Sequence, residues 1–128
     1  MKIRIIVTAL RLMVGLLGLS TASYAQDAEN GSKVFKKCMA CHAIDDKNKI
    51  GPSLKGIVGR KAATVEGFKY SDAMLAKGAE GAVWDEATLT AYLPDPKAWV
   101  PGTKMAFAGL KKPEEVADLI AFLKANGM

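Results

Sequence analysis

Histidine occurs once in this chain of 128 residues, and cysteine twice. That scarcity excludes much. A zinc site needs four ligands, and one His with two Cys cannot supply them. No run shows sustained apolar–polar alternation, so a sheet is not indicated. The chain has no internal repeat and no low-complexity tract. Beyond the N-terminus, nothing approaches the ~20 apolar residues of a membrane span.

The N-terminus itself is apolar. Lys2 and Arg4 form a positive start, "IIVTALRLMVGLLGL" follows, and "STASYAQ" then presents Ser23 and Ala25 in the spacing that a signal peptidase reads. The reading is a secretory signal peptide over residues 1–25, cut after Ala25, followed by one domain over residues 26–128. An uncleaved anchor is the rival, and Arg11 in the middle of the run counts against it. Export in a bacterium implies the periplasm, an oxidising space in which two nearby cysteines left alone would oxidise. The whole chain has 18 Lys+Arg against 13 Asp+Glu. Without Lys2, Arg4 and Arg11 the balance is 15 against 13, or +2, which does not indicate a nucleic-acid-binding surface.

Helical signals dominate the rest, so the expected class is all-α. "ENGSKVFKKCMAC" sets Gly31, Val34, Phe35 and Cys38 on one face. "YSDAMLAKG" opens at Ser71 and ends at Gly78. "WDEATLTAYL" is capped by Asp85 and stopped by Pro94. "KKPEEVADLIAFLKANG" has Pro113, Glu114 and Glu115 in its first turn and Gly127 at its end. Its apolar stripe is Val116, Leu119, Ile120 and Leu123, with Phe122 beside it. "IGPSLKGIVGRKAATVEGF" and "DPKAWVPGTKM" read as turn-rich connections. Short helices with long Gly/Pro loops make a poor self-sufficient core, so the middle calls for something besides side chains.

The scarce residues lie together, in "KKCMACHAI". Cys38, Cys41 and His42 form Cys-x-x-Cys-His, the attachment pattern of c-type haem. Two thiols at this spacing can add to the two vinyl groups on adjacent edges of the ring. The histidine after the second thiol is then placed to ligate the iron. A thioredoxin-like pair would want a βαβ context that is missing here, and a disulfide across two residues would close a tiny loop to little effect. The second axial position cannot be histidine, which leaves methionine or an open site. Met39 lies inside the attachment loop, Met128 is terminal, and Met74 sits on a helix where a core role is the simpler one. Met105, after the turn-rich "VPGTK", is favoured by position.

In "GSKVFKKCMACH", "GPSLKGIVGRK", "GFKYSDA", "VW", "LTAYLPDPK", "VPGTKMAFAGLKK" and "ADLIAFLK" the chain resembles the class I cytochromes c, in the branch of bacterial cytochrome c2 and mitochondrial cytochrome c. The resemblance implies short helices and loops wrapped around one covalent haem c, held through Cys38 and Cys41. It implies His42 and Met105 as axial ligands and Pro52 as the carbonyl that orients the histidine. Arg60, Tyr70, Trp84 and Thr103 match residues around the haem propionates, Tyr92 the tyrosine near the methionine sulfur, and Phe107 the aromatic screening the haem face. Gly31 and Phe35 match the positions where the first helix crosses the last, against Leu119 and Phe122. The chain departs from the pattern at Met74, where many relatives carry an asparagine near a buried water. It departs also at Trp99, which replaces a tyrosine, and in the longer "AKGAEGAVW".

The implied function is a monomeric periplasmic one-electron carrier rather than an enzyme. Its implied partners are a cytochrome bc1 complex, a cytochrome oxidase or a photosynthetic reaction centre. They would dock on Lys37, Lys49, Lys97, Lys104, Lys111 and Lys112, with Asp85, Glu86, Glu114, Glu115 and Asp118 toward the other side. The alternative is an open-site haem protein with peroxidase or gas-binding activity.

Overall fold

The computed structural model describes residues 26–127. The expected signal peptide and Met128 lie outside the described residues. Five helices appear in chain order: α1 (Ala28–Phe35), α2 (Asp72–Ala79), α3 (Glu86–Tyr92), α4 (Pro96–Trp99) and α5 (Pro113–Ala125). Among the described residues there is no strand, only an isolated bridge between Lys61 and Val83. No helix among them is long and apolar enough to cross a membrane.

Each helix starts where its chemistry says. Asp27 caps α1 by accepting from the amides of Glu29 and Asn30, Ser71 caps α2 through Met74, and Asp85 caps α3 through Thr88. α5 has no side-chain cap; Pro113 in its first turn and the acidic pair Glu114 and Glu115 replace it. The stretch "DPKAWVPGTKM", expected to be a turn-rich connection, forms α4 instead. Asp95 Oδ1 accepts from the Ala98 amide at 3.1 Å, and Pro96 occupies the first turn. Four residues are too few to show a helical period, so only the cap carried the signal.

The core is built on the crossing of α1 and α5. Gly31 is the contact point: a Cβ there would run into the carbonyl oxygen of Asp118 and lie 2.7 Å from Phe122 Cβ. Only a residue without a side chain lets the two backbones approach this closely. Phe35 and Phe122 pack beside it at 5.1 Å between ring centres. Val34, Val116, Leu119, Ile120 and Leu123 bury the same seam, and Leu89 and Tyr92 of α3, with Leu93 just after it, join the same core.

Two charges differ from the sequence reading. Asp118 does not face away with the surface acids. It is 6% exposed and accepts from the Asp27 amide at 2.9 Å and from Asn30 Nδ2 at 2.6 Å, so it ties the start of α1 to α5. Glu115 lies beside the basic set, paired with Lys37 at 3.1 Å. Both corrections follow from the α1–α5 crossing, which brings the first turns of α5 against α1 and the residues just after it.

The long stretch between α1 and α2 is held by loop contacts. Asn48 accepts from the Ser53 amide at 2.9 Å and donates to the Glu66 carbonyl at 3.1 Å, which joins two distant turns.

Candidate functional site

After α1 the chain continues through tight turns. The Cys41 and His42 amides both donate to the Cys38 carbonyl, at 3.1 and 2.9 Å. Lys49 Nζ donates to the Met39 carbonyl at 2.5 Å, and the Gly51 amide to the Cys41 carbonyl at 2.8 Å. These bonds fold the attachment segment over on itself. Cys38 and Cys41 are half-buried and form no disulfide with one another, which leaves both sulfurs for attachment. Burial pushes the Cys38 thiol up to about 11, against the pull of Lys37, with Cys41 adding slightly to the rise.

His42 Nδ1 lies 2.7 Å from the Pro52 carbonyl oxygen. A carbonyl can only accept, so Nδ1 donates and Nε2 keeps its lone pair free for a metal. Burial of the ring holds its pKa below the ordinary value, outweighing the Pro52 bond that raises it, and Lys49 lowers it further. The ring lies flat against Gly51, where a Cβ would meet Cε1 and come within 2.7 Å of Nδ1. Sequence reading did not single out Gly51. A Gly-Pro pair reads as an ordinary turn, and only the position of the imidazole shows what the missing side chain permits.

Tyr92 Oη donates to Met105 Sδ at 3.1 Å. Tyr92 is 7% exposed, and burial pushes its hydroxyl up to about 12, so it stays a donor. Its ring packs on Trp84 at 4.8 Å and on Trp99 at 5.6 Å, and the two tryptophans lie 5.3 Å apart. Trp99 therefore fills an aromatic cluster behind the methionine, with Lys77 Nζ 4.9 Å above its ring. Met74 packs against the apolar core, as do Met105 and Phe107. Met39 is half exposed and stands apart from them.

Arg60 donates from Nη1 to the Lys55 carbonyl and from Nη2 to the Ser53 carbonyl, both at 3.0 Å. Its Nε is buried without a partner. Trp84 is joined to it through the backbone, its amide on the Arg60 carbonyl at 2.8 Å. Tyr70 Oη accepts from the Val65 amide at 2.9 Å and keeps its own proton to donate. Thr103 Oγ1 accepts from the Met105 amide at 3.2 Å and likewise keeps a donor. Among the described residues these side chains bond to loop backbone rather than to one another.

This set fits a haem. Buried polar groups are ordinarily satisfied, and the orphaned Arg60 Nε asks for an anionic acceptor such as a propionate. Leu54, Val58, Met74, Met105 and Phe107 pack on the core yet stay partly exposed, an edge suited to a large apolar ring. The donors available to a metal, a neutral imidazole and a thioether, are those that suit haem iron.

The family model described as Cytochrome c matches residues 28–126. Cytochrome c2 of Blastochloris viridis is 47% identical over 119 residues, covering 89% of this chain and 91% of the relative. Cytochrome c-550 of Ancylobacter novellus is 52% identical over 96 residues, covering 73% of this chain and 90% of the relative. Among solved structures, cytochrome cH from Methylobacterium extorquens superposes with a TM-score of 0.72 at 48% identity, covering 77% of this chain and 98% of that one.

Proposed function

This chain belongs to the cytochrome c family, and from that membership we infer that it is a periplasmic shuttle ligating its haem through His42 and Met105. The family carries electrons and does not catalyse a substrate reaction. One haem c is attached covalently through Cys38 and Cys41. When bound, that haem supplies a one-electron couple.

The chain's own residues do the rest. Pro52 fixes the tautomer and direction of His42, which makes Nε2 the more basic ligand. Tyr92 holds the Met105 sulfur by its hydroxyl, and the ring cluster behind it keeps that hydroxyl in place. Arg60, Tyr70 and Thr103 offer unused donors to the propionates, which would otherwise be costly to bury. With His42 and Met105 both holding the iron, no ready position would remain for a substrate, and a methionine ligand would raise the potential relative to a pair of histidines.

The bond from Tyr92 to Met105 is the observation that carries this reading. In the open-site alternative the Met105 thioether would have no ligand role, and a hydroxyl holding it in place would serve nothing. The test is Met105→Ala. The haem should stay attached, the weak long-wavelength band of an iron–thioether bond should vanish, and carbon monoxide should bind. A wild type that already binds carbon monoxide and lacks the band would refute the ligand assignment.

The proposed partners are a cytochrome bc1 complex as donor and a cytochrome oxidase or photosynthetic reaction centre as acceptor. They would dock on Lys37, Lys49, Lys97, Lys104, Lys111 and Lys112. In support, Lys37 adjoins Cys38, Lys49 reaches the Met39 carbonyl inside the attachment loop, and Lys104 adjoins Met105.

A further inference from the structure

We propose that Lys77 is a positioning residue for Met105: its ammonium, seated over the ring of Trp99, clamps α2 to the loop that carries Met105 and limits how readily that thioether gives way to an outside ligand. This role rests on the ligand assignment above. Two departures from the family pattern meet there. One is Trp99 in place of a tyrosine, and the other is the longer "AKGAEGAVW", which holds Lys77. In the folded chain Lys77 Nζ lies 4.9 Å from the centre of the Trp99 ring. Of the aromatic side chains, tryptophan offers a cation the best face.

Both partners are fixed at their bases. Lys77 stands in the last turn of α2, and its carbonyl accepts from the Ala82 amide at 3.1 Å. Gly78 beside it packs so closely that a Cβ would lie 2.8 Å from the Ala62 carbonyl oxygen. Trp99 ends α4, and backbone bonds run on from it toward the methionine. The Val100 amide donates to the Pro96 carbonyl at 2.9 Å, the Thr103 amide to the Val100 carbonyl at 3.0 Å, and the Met105 amide to Thr103 Oγ1 at 3.2 Å. A second route reaches the sulfur itself: Trp99 packs on Tyr92 at 5.6 Å, and Tyr92 Oη donates to Met105 Sδ.

α2 and the loop meet twice. Ala73 and Lys77 are four residues apart and share one face of the helix. A Cβ on Gly102 would lie 3.5 Å from Ala73 Cβ, so the turn before Met105 passes against that face, while Lys77 covers the start of the loop at Trp99. The Lys77 side chain is only 28% exposed, so water competes for its ammonium less than on an open surface. α2 fully buries none of its own residues, so the seat on Trp99 matters more than it would to a helix with a buried stripe. Glu80 Oε2 also lies 3.6 Å from Lys77 Nζ, but Glu80 is mostly exposed and such a pair holds weakly.

The test uses the full chain, exported with its haem attached and oxidised. Neutral imidazole is titrated in, and loss of the long-wavelength band reports Met105 giving way. Lys77→Gln should raise the apparent imidazole affinity about two- to five-fold, the worth of a cation over an aromatic ring at a surface. Lys77→Arg keeps a cation there and should stay near wild type. Trp99→Leu should raise the affinity at least as much as Lys77→Gln, and adding Lys77→Gln to Trp99→Leu should change nothing further. An unchanged affinity in Lys77→Gln, or two effects that simply multiply, overturns the clamp. Glu80→Gln matching Lys77→Gln assigns the effect to the ion pair and overturns it too. A wild type without the band refutes the ligand assignment and this role with it. Urea unfolding tells the two failures apart, because Lys77 and Trp99 still couple there when only the ligand is wrong.

Discussion

His42 and Gly51 act as one unit. A Cβ on Gly51 would run into the face of the imidazole, within 2.8 Å of Nε2, so Gly51→Ala has to push the ring, the turn or both. Overpacking of this kind costs about 1–3 kcal/mol. Here the displacement would also lengthen the bond from Nδ1 to the Pro52 carbonyl. The expected outcome is a lower urea midpoint together with a shifted redox potential, because a longer Pro52 bond would make His42 the less basic ligand. Gly51→Ala matching wild type in both would show that the turn absorbs the methyl. This residue also marks how far the sequence could be read. Cys38 and Cys41 were legible because their chemistry depends on spacing along the chain. His42 and Met105, the proposed iron ligands, were pointed to by position. Gly51 was not, because a missing side chain has meaning only once the neighbouring ring is placed. The orphaned Arg60 Nε belongs to the same class, since the residue type shows a charge but not which of its nitrogens lacks a partner.

The joint between α1 and α5 depends on a carboxylate that sequence alone placed on the surface. Asp118 stands beside Leu119 on a helix whose stripe is otherwise apolar, and a charged residue there is ordinarily exposed. Asp118→Ala leaves the Asp27 amide and the Asn30 side chain without their acceptor. The expected loss is about 1–3 kcal/mol, read from chemical unfolding. A change within error would mean that water replaces the carboxylate. α3 meets α5 through a weaker contact, Glu86 with Lys124. The Lys124 bond, then the Gln26 bond, hold the Glu86 carboxyl below its ordinary 4.5. A depressed folded pKa means that the stabilisation is present above about pH 4.5 and is lost as pH falls through the folded value. Glu86→Gln should therefore cost a few tenths of a kcal/mol at pH 7, as exposed pairs do, and nothing once Glu86 is protonated in both states. Equal costs at pH 7 and in strong acid would assign the effect to something other than charge. The helices themselves were largely legible, because caps and apolar stripes are local. α4 was missed because one turn has a cap but no period.

For the whole molecule the question is how residues 26–127, with 15 basic against 13 acidic side chains, steer toward a partner. The sequence reading answered with separation, basic residues on one side and acidic on the other. The pair of Glu115 with Lys37 breaks that division at the residue next to the first haem-attaching cysteine. An exposed pair of this kind adds little stability. It does weaken the positive potential at the attachment loop, and potential is what sets a fast encounter with an acidic partner. Two variants should then move in opposite directions. Lys104→Glu, beside Met105, should slow bimolecular electron transfer several-fold at low salt. Glu115→Gln should quicken it, because Lys37 is then no longer offset. Both differences should collapse as salt rises, since the Debye length falls from ~10 Å at 0.1 M to ~3 Å at 1 M. Stopped-flow rates against an acidic redox partner across that range make the measurement, with the absorption spectrum and potential as checks that the iron site is unchanged. If Glu115→Gln slows transfer, Glu115 is part of the contact rather than a damper on it. If neither variant responds to salt, the partner meets the haem edge without using the lysines, and the docking assignment fails.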